Sequence, residues 1–193
     1  MEKKLFISYA IIFFYISERL LELAVNQVNK QYLISKYLVH LRYPKESFQM
    51  KFFHSLWFAA LILETNWHGR LASGFFLYSS GVILVLSQFL RWYSILSLGR
   101  FWSIDIYAMK EHPIIEKGPY NYIRHPNYLA VICEFLFLPL LLGCFWTLVG
   151  GAVLNFFILK RRIYLEESSL VEQSSLSRTR NYNILFMHKK RFL

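Results

Sequence analysis

The feature that most constrains this chain is an apolar run from Leu129 to Leu159 that is flanked by two polar motifs. The run contains a single charged residue, Glu134. Before it stands segment 118–128, Gly-Pro-Tyr-Asn-Tyr-Ile-Arg-His-Pro-Asn-Tyr, and after it segment 161–167, Arg-Arg-Ile-Tyr-Leu-Glu-Glu. Because polar groups at the mouth of an apolar hairpin cost free energy unless they have partners, we interpret the two motifs as a ligand site.

The rest of the chain is also unusually apolar for its length of 193 residues. Apolar residues make up 55% and aromatic residues 19%, while charged residues make up only 18%, against roughly 25% in soluble domains. This composition predicts a single all-α domain, 1–193, that is a polytopic integral membrane protein with a C-terminal catalytic helical hairpin. About five transmembrane helices are expected, near residues 5–25, 52–63, 71–96, 128–142 and 147–167.

The distribution of Lys and Arg predicts how these helices are oriented. The predicted loop 26–51 carries five such residues, loop 97–127 four and the tail from Lys160 eight, whereas 64–70 carries one and 143–146 none. The positive-inside rule places the rich segments in the cytoplasm. We therefore expect N-terminal transmembrane helices in 1–96, a region in 97–175 that carries both polar motifs and opens to the cytoplasm, and a basic cytoplasmic tail in 176–193.

Helical spacing places three polar residues of the last helix on one stripe. Arg162 follows Asn155 by seven residues and precedes Glu166 by four. Arg162 offers a planar fork for an oxyanion, and Glu166 a counter-charge for an ammonium or a ribose diol. His125 and Tyr128 begin the preceding helix, where the helix dipole favours anions. The alternative is a solvated Arg/Glu cluster at a helix exit.

Carboxylates inside apolar sequence are the other candidates. Glu134 is a functional candidate because a charge within a membrane helix is costly; the alternative is a hydrogen bond to a neighbouring helix, with Asn155 as one possible partner. Glu18 and Glu22 share a helix face beside Arg19, and either reach water or turn inward to pair with a basic residue. The charge of +10 accompanies no nucleic-acid motif, and the histidines lack metal-ligand spacing, so neither nucleic acid nor a metal is expected.

The two motifs together resemble the isoprenylcysteine carboxyl methyltransferase family, which is related to the phospholipid N-methyltransferases. The resemblance covers roughly residues 98–170, and the short five-helix chain is similar to bacterial members. It implies a membrane enzyme that binds S-adenosylmethionine without a Rossmann domain, with residues 97–175 as the cofactor-binding catalytic region. Some bacterial members methylate lipophilic acids or hydroxyls, such as long-chain pyrones. The resemblance therefore implies an acceptor that enters from the bilayer and, for a bacterial member, location in the inner membrane.

The resemblance also implies roles for individual residues. Arg162 would face the methyl acceptor with Asn155, while Glu134 is retained as a catalytic candidate. Asp105 stands where the eukaryotic enzymes place a glutamine. The cofactor would be held by His112, Pro113, Ile114, Ile115, Tyr120, His125, Pro126, Asn127, Tyr128, Glu166 and Glu167.

The reaction predicted for such a site is methyl transfer to a carboxylate or an enol or hydroxyl oxygen. An anionic acceptor needs no strong base, so the protein mainly aligns the reactants and excludes water. One alternative is a phospholipid N-methyltransferase, which would need a base such as Glu134 or Glu167. Another is an NADPH-dependent sterol-type reductase, for which loop 97–117 offers few basic residues.

Overall fold

The structure, a computed structural model, describes residues 2–37, 39–68, 71–108 and 117–176. Over these ranges the chain is helical apart from one two-residue strand pair and short turns, which confirms the predicted all-helical class. Antiparallel β1 (His40–Leu41) and β2 (Tyr107–Ala108) form the strand pair, and 3₁₀ turns occupy Gly99–Phe101 and Gly118–Asn121. The helices are α1 (Glu2–Tyr37), α2 (Pro44–Trp67), α3 (Phe75–Leu98), α4 (Pro126–Leu142) and α5 (Phe145–Leu176).

Aromatic stacking joins α2 to α4 and α5 in the centre of the bundle. The Phe135 ring of α4 lies between Phe53 and Trp57 of α2, at centroid distances of 5.3 and 4.1 Å. Gly151 brings α5 against this stack, because a Cβ there would lie only 2.8 Å from Trp57 Nε1. The glycine therefore permits a close approach between the second and the last helix.

The turn between α4 and α5 is closed by backbone and side-chain hydrogen bonds. Gly143 adopts a left-handed φ of 68°, and the amides of Gly143 and Cys144 donate to the carbonyls of Leu140 and Pro139 at 3.3 and 2.8 Å. This Schellman arrangement satisfies the last carbonyls of α4. Glu64, near the end of α2, accepts from the amide and hydroxyl of Thr147 at 2.7 and 2.6 Å, which caps the start of α5.

The predicted helices agree well in the second half of the chain and poorly in the first. The expectation of a polar loop at 26–51 is wrong, because α1 continues to Tyr37 and α2 begins at Pro44. The extra turns are stable because polar side chains on α1 find partners in the segment after α3. Asn26 accepts from the Ser103 hydroxyl at 2.9 Å, and Asn29 donates to the carbonyl of Trp102 at 2.8 Å.

One stretch of the described chain, Phe75–Phe101, is long and apolar enough to cross a membrane by length and composition alone. Pro126–Leu142 is apolar but shorter. The count of five membrane spans therefore stays a prediction. Arg91, the one charged residue of α3, lies in the interior with only 1% of its surface exposed.

Candidate active site

Tyr128 of α4 stands between Arg162 and Glu166 of α5. Its hydroxyl accepts a hydrogen bond from Arg162 Nε at 2.9 Å and donates one to Glu166 Oε2. Arg162 and Tyr128 are both buried, so this chain of hydrogen bonds lies inside the protein. The two polar motifs of the sequence are thus brought together as predicted, and Glu166 is bound into the chain rather than solvated.

Arg162 also reaches the segment after α3. Its Nη2 donates to the carbonyl of Ile104, and the charge of Asp105 acts on the same guanidinium. Its third nitrogen, Nη1, is buried and has no hydrogen-bond partner. Since an unpaired buried donor is costly, Nη1 is the position at which a ligand oxygen would be bound.

Two asparagine side chains carry further open acceptors. Oδ1 of Asn127, at the start of α4, is buried without a partner, and so is Oδ1 of Asn155, in the middle of α5. Asn155 is itself buried, with 3% of its surface exposed. Each of these oxygens can accept from an N–H or O–H group of a ligand.

The entrance of α4 is held by a second, more exposed group of charges. Glu167 Oε1 lies 3.3 Å from His125 Nε2 and 3.1 Å from Arg124 Nη1. The His125 ring stacks on Tyr128 at a centroid distance of 5.2 Å. Pro126 occupies the first turn of α4, where a missing N–H costs nothing. His125 and Glu167 therefore border the Tyr128–Arg162–Glu166 chain on its outer side.

The 3₁₀ turn at Gly118–Asn121 packs directly on α3. Gly118 has φ +57°, a conformation that L side chains rarely adopt, and a Cβ there would also crowd the Tyr93 ring at 3.0 Å, so this position favours glycine. The turn brings Tyr120 close to Glu166. Burial, and then the charge of Glu166, raise the pKa of the Tyr120 hydroxyl, which stays a proton donor at neutral pH.

Asp105 supports the segment whose Ile104 carbonyl binds Arg162. Lys51 Nζ lies 3.3 Å from Asp105 Oδ1, and Asn26 donates to Oδ2 at 3.5 Å. Burial alone would raise the pKa of the Asp105 carboxyl, yet Lys51 and the hydrogen-bonding side chains around it hold that pKa below its usual value. Burial, and then the charge of this carboxylate, raise the pKa of the Tyr107 hydroxyl to about 12.

Glu134 does not bond to Asn155, the partner that we considered from the sequence. Arg91 Nε donates to its Oε1 at 2.9 Å, and Arg19 donates to Oε2. Arg19 and Arg91 both bind Glu22 as well, with an Arg19–Glu22 distance of 2.6 Å. Glu134 and Glu22 thus belong to a buried ion cluster of two arginines and two glutamates that joins α1, α3 and α4, and Glu22 takes the inward alternative.

Two further outcomes concern residues that sequence reasoning treated differently. The predicted cofactor-contacting residues His112, Pro113, Ile114 and Ile115 lie outside the described residues.

Arg91 and Arg19 were not predicted as site residues from the sequence. A lone arginine inside the apolar third helix was nevertheless a usable signal for a buried carboxylate partner. Both arginines bind Glu134, which follows Tyr128 by six residues on α4.

Comparison with known proteins gives a family match over the part of the chain that carries these motifs, and matches to individual relatives. The model of the isoprenylcysteine carboxyl methyltransferase (ICMT) family matches residues 80–172. The uncharacterized protein YpbQ of Bacillus subtilis is 35% identical over 121 residues, which are 63% of this chain and 71% of that protein. An uncharacterized protein of Haemophilus influenzae is 35% identical over 89 residues, 46% of this chain and about half, 52%, of its own length. No solved structure matches the chain.

Proposed function

The chain belongs to the isoprenylcysteine carboxyl methyltransferase family, and from this premise we infer that it is a membrane methyltransferase that uses S-adenosylmethionine. We propose that it methylates a carboxylate or an enol or hydroxyl oxygen of a lipophilic acceptor. The observation that carries the proposal is the hydrogen-bond chain Arg162–Tyr128–Glu166, with Arg162 Nη1 left open beside it. This chain of hydrogen bonds supports a site for two ligands of opposite charge, an anionic acceptor beside Arg162 and a cationic cofactor group beside Glu166, one on each side of Tyr128.

The cofactor side of the proposed site offers groups that suit S-adenosylmethionine. The unpaired Oδ1 of Asn127 is an acceptor for its ammonium group, and Glu166 suits the same ammonium or the ribose diol. Tyr120, which lies close to Glu166, supplies an aromatic surface. When bound, the cofactor supplies an electrophilic methyl group on a positively charged sulfur. The protein contributes position, a matching negative charge and exclusion of water.

On the acceptor side, Arg162 is held rigidly and still has a free donor. Its Nε and Nη2 are used by Tyr128 and the Ile104 carbonyl, so the direction of Nη1 is fixed. A guanidinium fixed in this way can orient an oxyanion for in-line attack. A carboxylate or enolate is already a nucleophile, so this step requires no proton transfer to the protein.

Oxygen acceptors are favoured over amine lipids because the two carboxylates proposed as bases are both engaged. Glu134 has each oxygen bound to an arginine in the buried cluster. Glu167 is bound by Arg124 and His125. Carboxylate oxygens that are already bound by arginine or histidine side chains are less available to accept a proton from an amine. This argues for an acceptor that reacts as an anion.

We further propose that the protein is embedded in a membrane and that the site opens to the cytoplasm, in bacteria at the inner membrane. All five helices expose large apolar side chains, such as Phe13 on α1, Phe52 on α2, Phe89 on α3, Leu129 on α4 and Phe156 on α5. Apolar faces of this extent favour contact with lipid. Labelling of cysteines introduced at Lys117 and His68 in intact cells should show opposite accessibility; equal accessibility would contradict this orientation.

The function itself is tested with the purified full-length protein in lipid nanodiscs. Binding of labelled S-adenosylmethionine is measured first, followed by transfer of the labelled methyl group to a panel of lipophilic acids, enols and amine lipids. We expect cofactor binding and transfer to acids or enols. Transfer to amine lipids alone would replace the oxygen-acceptor proposal with N-methylation, and binding of NADPH instead of S-adenosylmethionine would contradict both.

A further inference from the structure

His54 lies in the middle of the inward face of α2, yet it is less buried than the residues around it. Met50 and Trp57, one turn to either side, expose only 8% and 3% of their surface, and Leu61 exposes none. His54 is half-buried. Since its neighbours along the same face are closed off from solvent, the exposed part of the ring opens into the interior of the bundle rather than onto its outer surface.

The hydrogen bond that His54 makes determines which ring nitrogen is open. Nδ1 lies 2.9 Å from the carbonyl oxygen of Met50. A carbonyl only accepts, so the proton of the neutral imidazole is on Nδ1 and the lone pair is on Nε2. Phe53 and Phe135 pack on the ring at centroid distances of 6.1 and 5.2 Å, and these contacts fix the direction of Nε2.

The register between α2 and α5 places His54 at the level of Asn155. Trp57 meets Gly151 near the middle of the two helices, and Glu46 binds Arg161 at 2.8 Å toward their other ends. The two helices are therefore antiparallel. His54 lies about 4.5 Å along the axis from Trp57, and Asn155 about 6 Å from Gly151, in the same direction.

Arg162 belongs to the same region of the bundle. Arg162 follows Asn155 by seven residues on the same stripe of α5, and the charges of Arg19, Arg91 and Arg162 all act on the His54 ring. Three polar atoms on α2 and α5 can thus still make a hydrogen bond to a ligand. Two are acceptors, His54 Nε2 and Asn155 Oδ1, and one is a donor, Arg162 Nη1. Arg19 and Arg91 are paired with the carboxylates of the ion cluster, and Arg91 Nη2 lies 2.7 Å from Glu134 Oε2, so the donor of this group that faces no carboxylate is Arg162 Nη1.

We propose that His54 is a specificity-determining residue for the methyl acceptor, and that it selects acceptors which carry an O–H or N–H donor next to the oxyanion. The inference rests on the proposed function, since Arg162 would hold the oxyanion while His54 Nε2, with Asn155 Oδ1, accepts from the neighbouring donor. A site that is closed off from bulk solvent discriminates against a ligand that lacks the matching donor, because the acceptors of the site then lose a partner.

The test compares two probes that differ in one hydroxyl group, 2-hydroxydecanoate and decanoate. Their dissociation constants are measured calorimetrically with the full-length protein in nanodiscs, in the presence of S-adenosylhomocysteine. We expect the wild type to bind the hydroxy acid about three- to tenfold more tightly, as one hydrogen bond to a neutral acceptor predicts. Equal affinity of the wild type for the two acids overturns the proposal without any variant being needed.

Variants show whether His54 causes the preference. In His54→Phe the ratio of the two dissociation constants should fall to about one, since a ring of similar size is kept while the acceptor is lost. In His54→Gln the amide oxygen should keep part of the preference. His68→Phe, at the exposed end of α2, is the matched control and should keep the wild-type ratio. A full preference in His54→Phe, or none in His54→Gln, contradicts the assignment.

The same probes separate this inference from the proposed function. Methyl transfer to both acids is measured alongside binding. A wild-type binding preference that disappears in His54→Phe, combined with no methyl transfer to either acid, would contradict the proposed reaction and still support recognition of the donor by His54. Methyl transfer to both acids with equal kcat/KM would support the reaction and overturn the role of His54.

Discussion

Arg162 on α5 donates from Nε to the hydroxyl oxygen of Tyr128 on α4 at 2.9 Å, across 34 residues of sequence. Because the same hydroxyl donates to Glu166, the tyrosine is both an acceptor for the cation and a donor to the carboxylate. Arg162 and Glu166 are therefore not an ion pair in direct contact. Tyr128 keeps them apart, which leaves Arg162 Nη1 available on one side and Glu166 on the other.

Tyr128→Phe should lower methyl transfer by about tenfold or more. The substitution keeps the ring stacked on His125 but leaves the Nε of Arg162 and the carboxylate of Glu166 without a partner, and a buried unpaired group costs roughly 1–3 kcal/mol. Initial rates with the best acceptor of the panel provide the measurement. Tyr122→Phe, at an exposed tyrosine nearby, is the control and should retain wild-type activity.

Glu166→Gln should weaken binding of S-adenosylmethionine by about tenfold or more. Glutamine keeps the size of the side chain but removes the charge that we expect to meet the cofactor, and a charge-assisted hydrogen bond contributes roughly 1.5–3 kcal/mol. The dissociation constant of labelled cofactor is the readout. Unchanged affinity would mean that Glu166 serves only to hold Tyr128.

Arg91→Met should destabilise the protein strongly, by about 3–5 kcal/mol, because it leaves Glu134 and Glu22 with one arginine between them in the interior. The double variant Arg91→Met with Glu134→Gln restores the balance of charge and should recover much of the loss. Thermal unfolding in detergent is compared for both. Arg124→Met, in an exposed ion pair, is the control with little expected effect. If the double variant is less stable than the single one, charge balance is not what the cluster provides.

The sequence was sufficient to predict the second half of the fold because its signals are local. Pro126 and Gly143 mark the two ends of α4, and the apolar run between them has no other interpretation than buried or lipid-facing helix. The first half depended on distant partners. Asn26 and Asn29 look like loop residues, but they lie on α1 because Ser103 and the carbonyls at 99 and 102 satisfy them.

The residues of the candidate site also fall into those that local spacing predicts and those that depend on distant partners. Arg162 and Glu166 are one helical turn apart, and a stripe on one helix is readable from spacing alone. The pairing of Glu134 with Arg91 and Arg19 required the packing of three helices, which spacing within any one segment does not contain. His54 is a similar case, because its importance depends on the register between α2 and α5.

The stability contributed by Asp105 should depend on pH. Its folded pKa lies below the usual aspartate value of about 3.9, so its contribution is present at pH values above that value and is lost as the pH falls through the folded pKa. Asp105→Asn should therefore lower the melting temperature at pH 7, and the difference from wild type should shrink below about pH 4. Glu46→Gln, in a pair with the exposed Arg161, is the control and should change the melting temperature little. A difference that stays constant down to pH 3 would mean that the charge of Asp105 contributes nothing.

Arg162→Lys should fold and bind S-adenosylmethionine but methylate poorly. Arginine uses three nitrogens in three directions: Nε to Tyr128, Nη2 to the Ile104 carbonyl, and Nη1 toward the proposed acceptor. A lysine ammonium keeps the charge, but a single nitrogen cannot hold the tyrosine, the 103–106 segment and an oxyanion in fixed geometry.

The loss in Arg162→Lys should appear in kcat as well as in the KM for the acceptor, because alignment of the oxyanion with the methyl group is itself the catalytic contribution. A cofactor-binding titration paired with initial rates over a range of acceptor concentrations separates the two effects. Arg161→Lys, at the neighbouring exposed position, is the matched control and should behave as wild type. Were Arg162→Lys to lose cofactor affinity in parallel with activity, Arg162 would belong to the cofactor side of Tyr128. The acceptor oxyanion would then have to be held by another group.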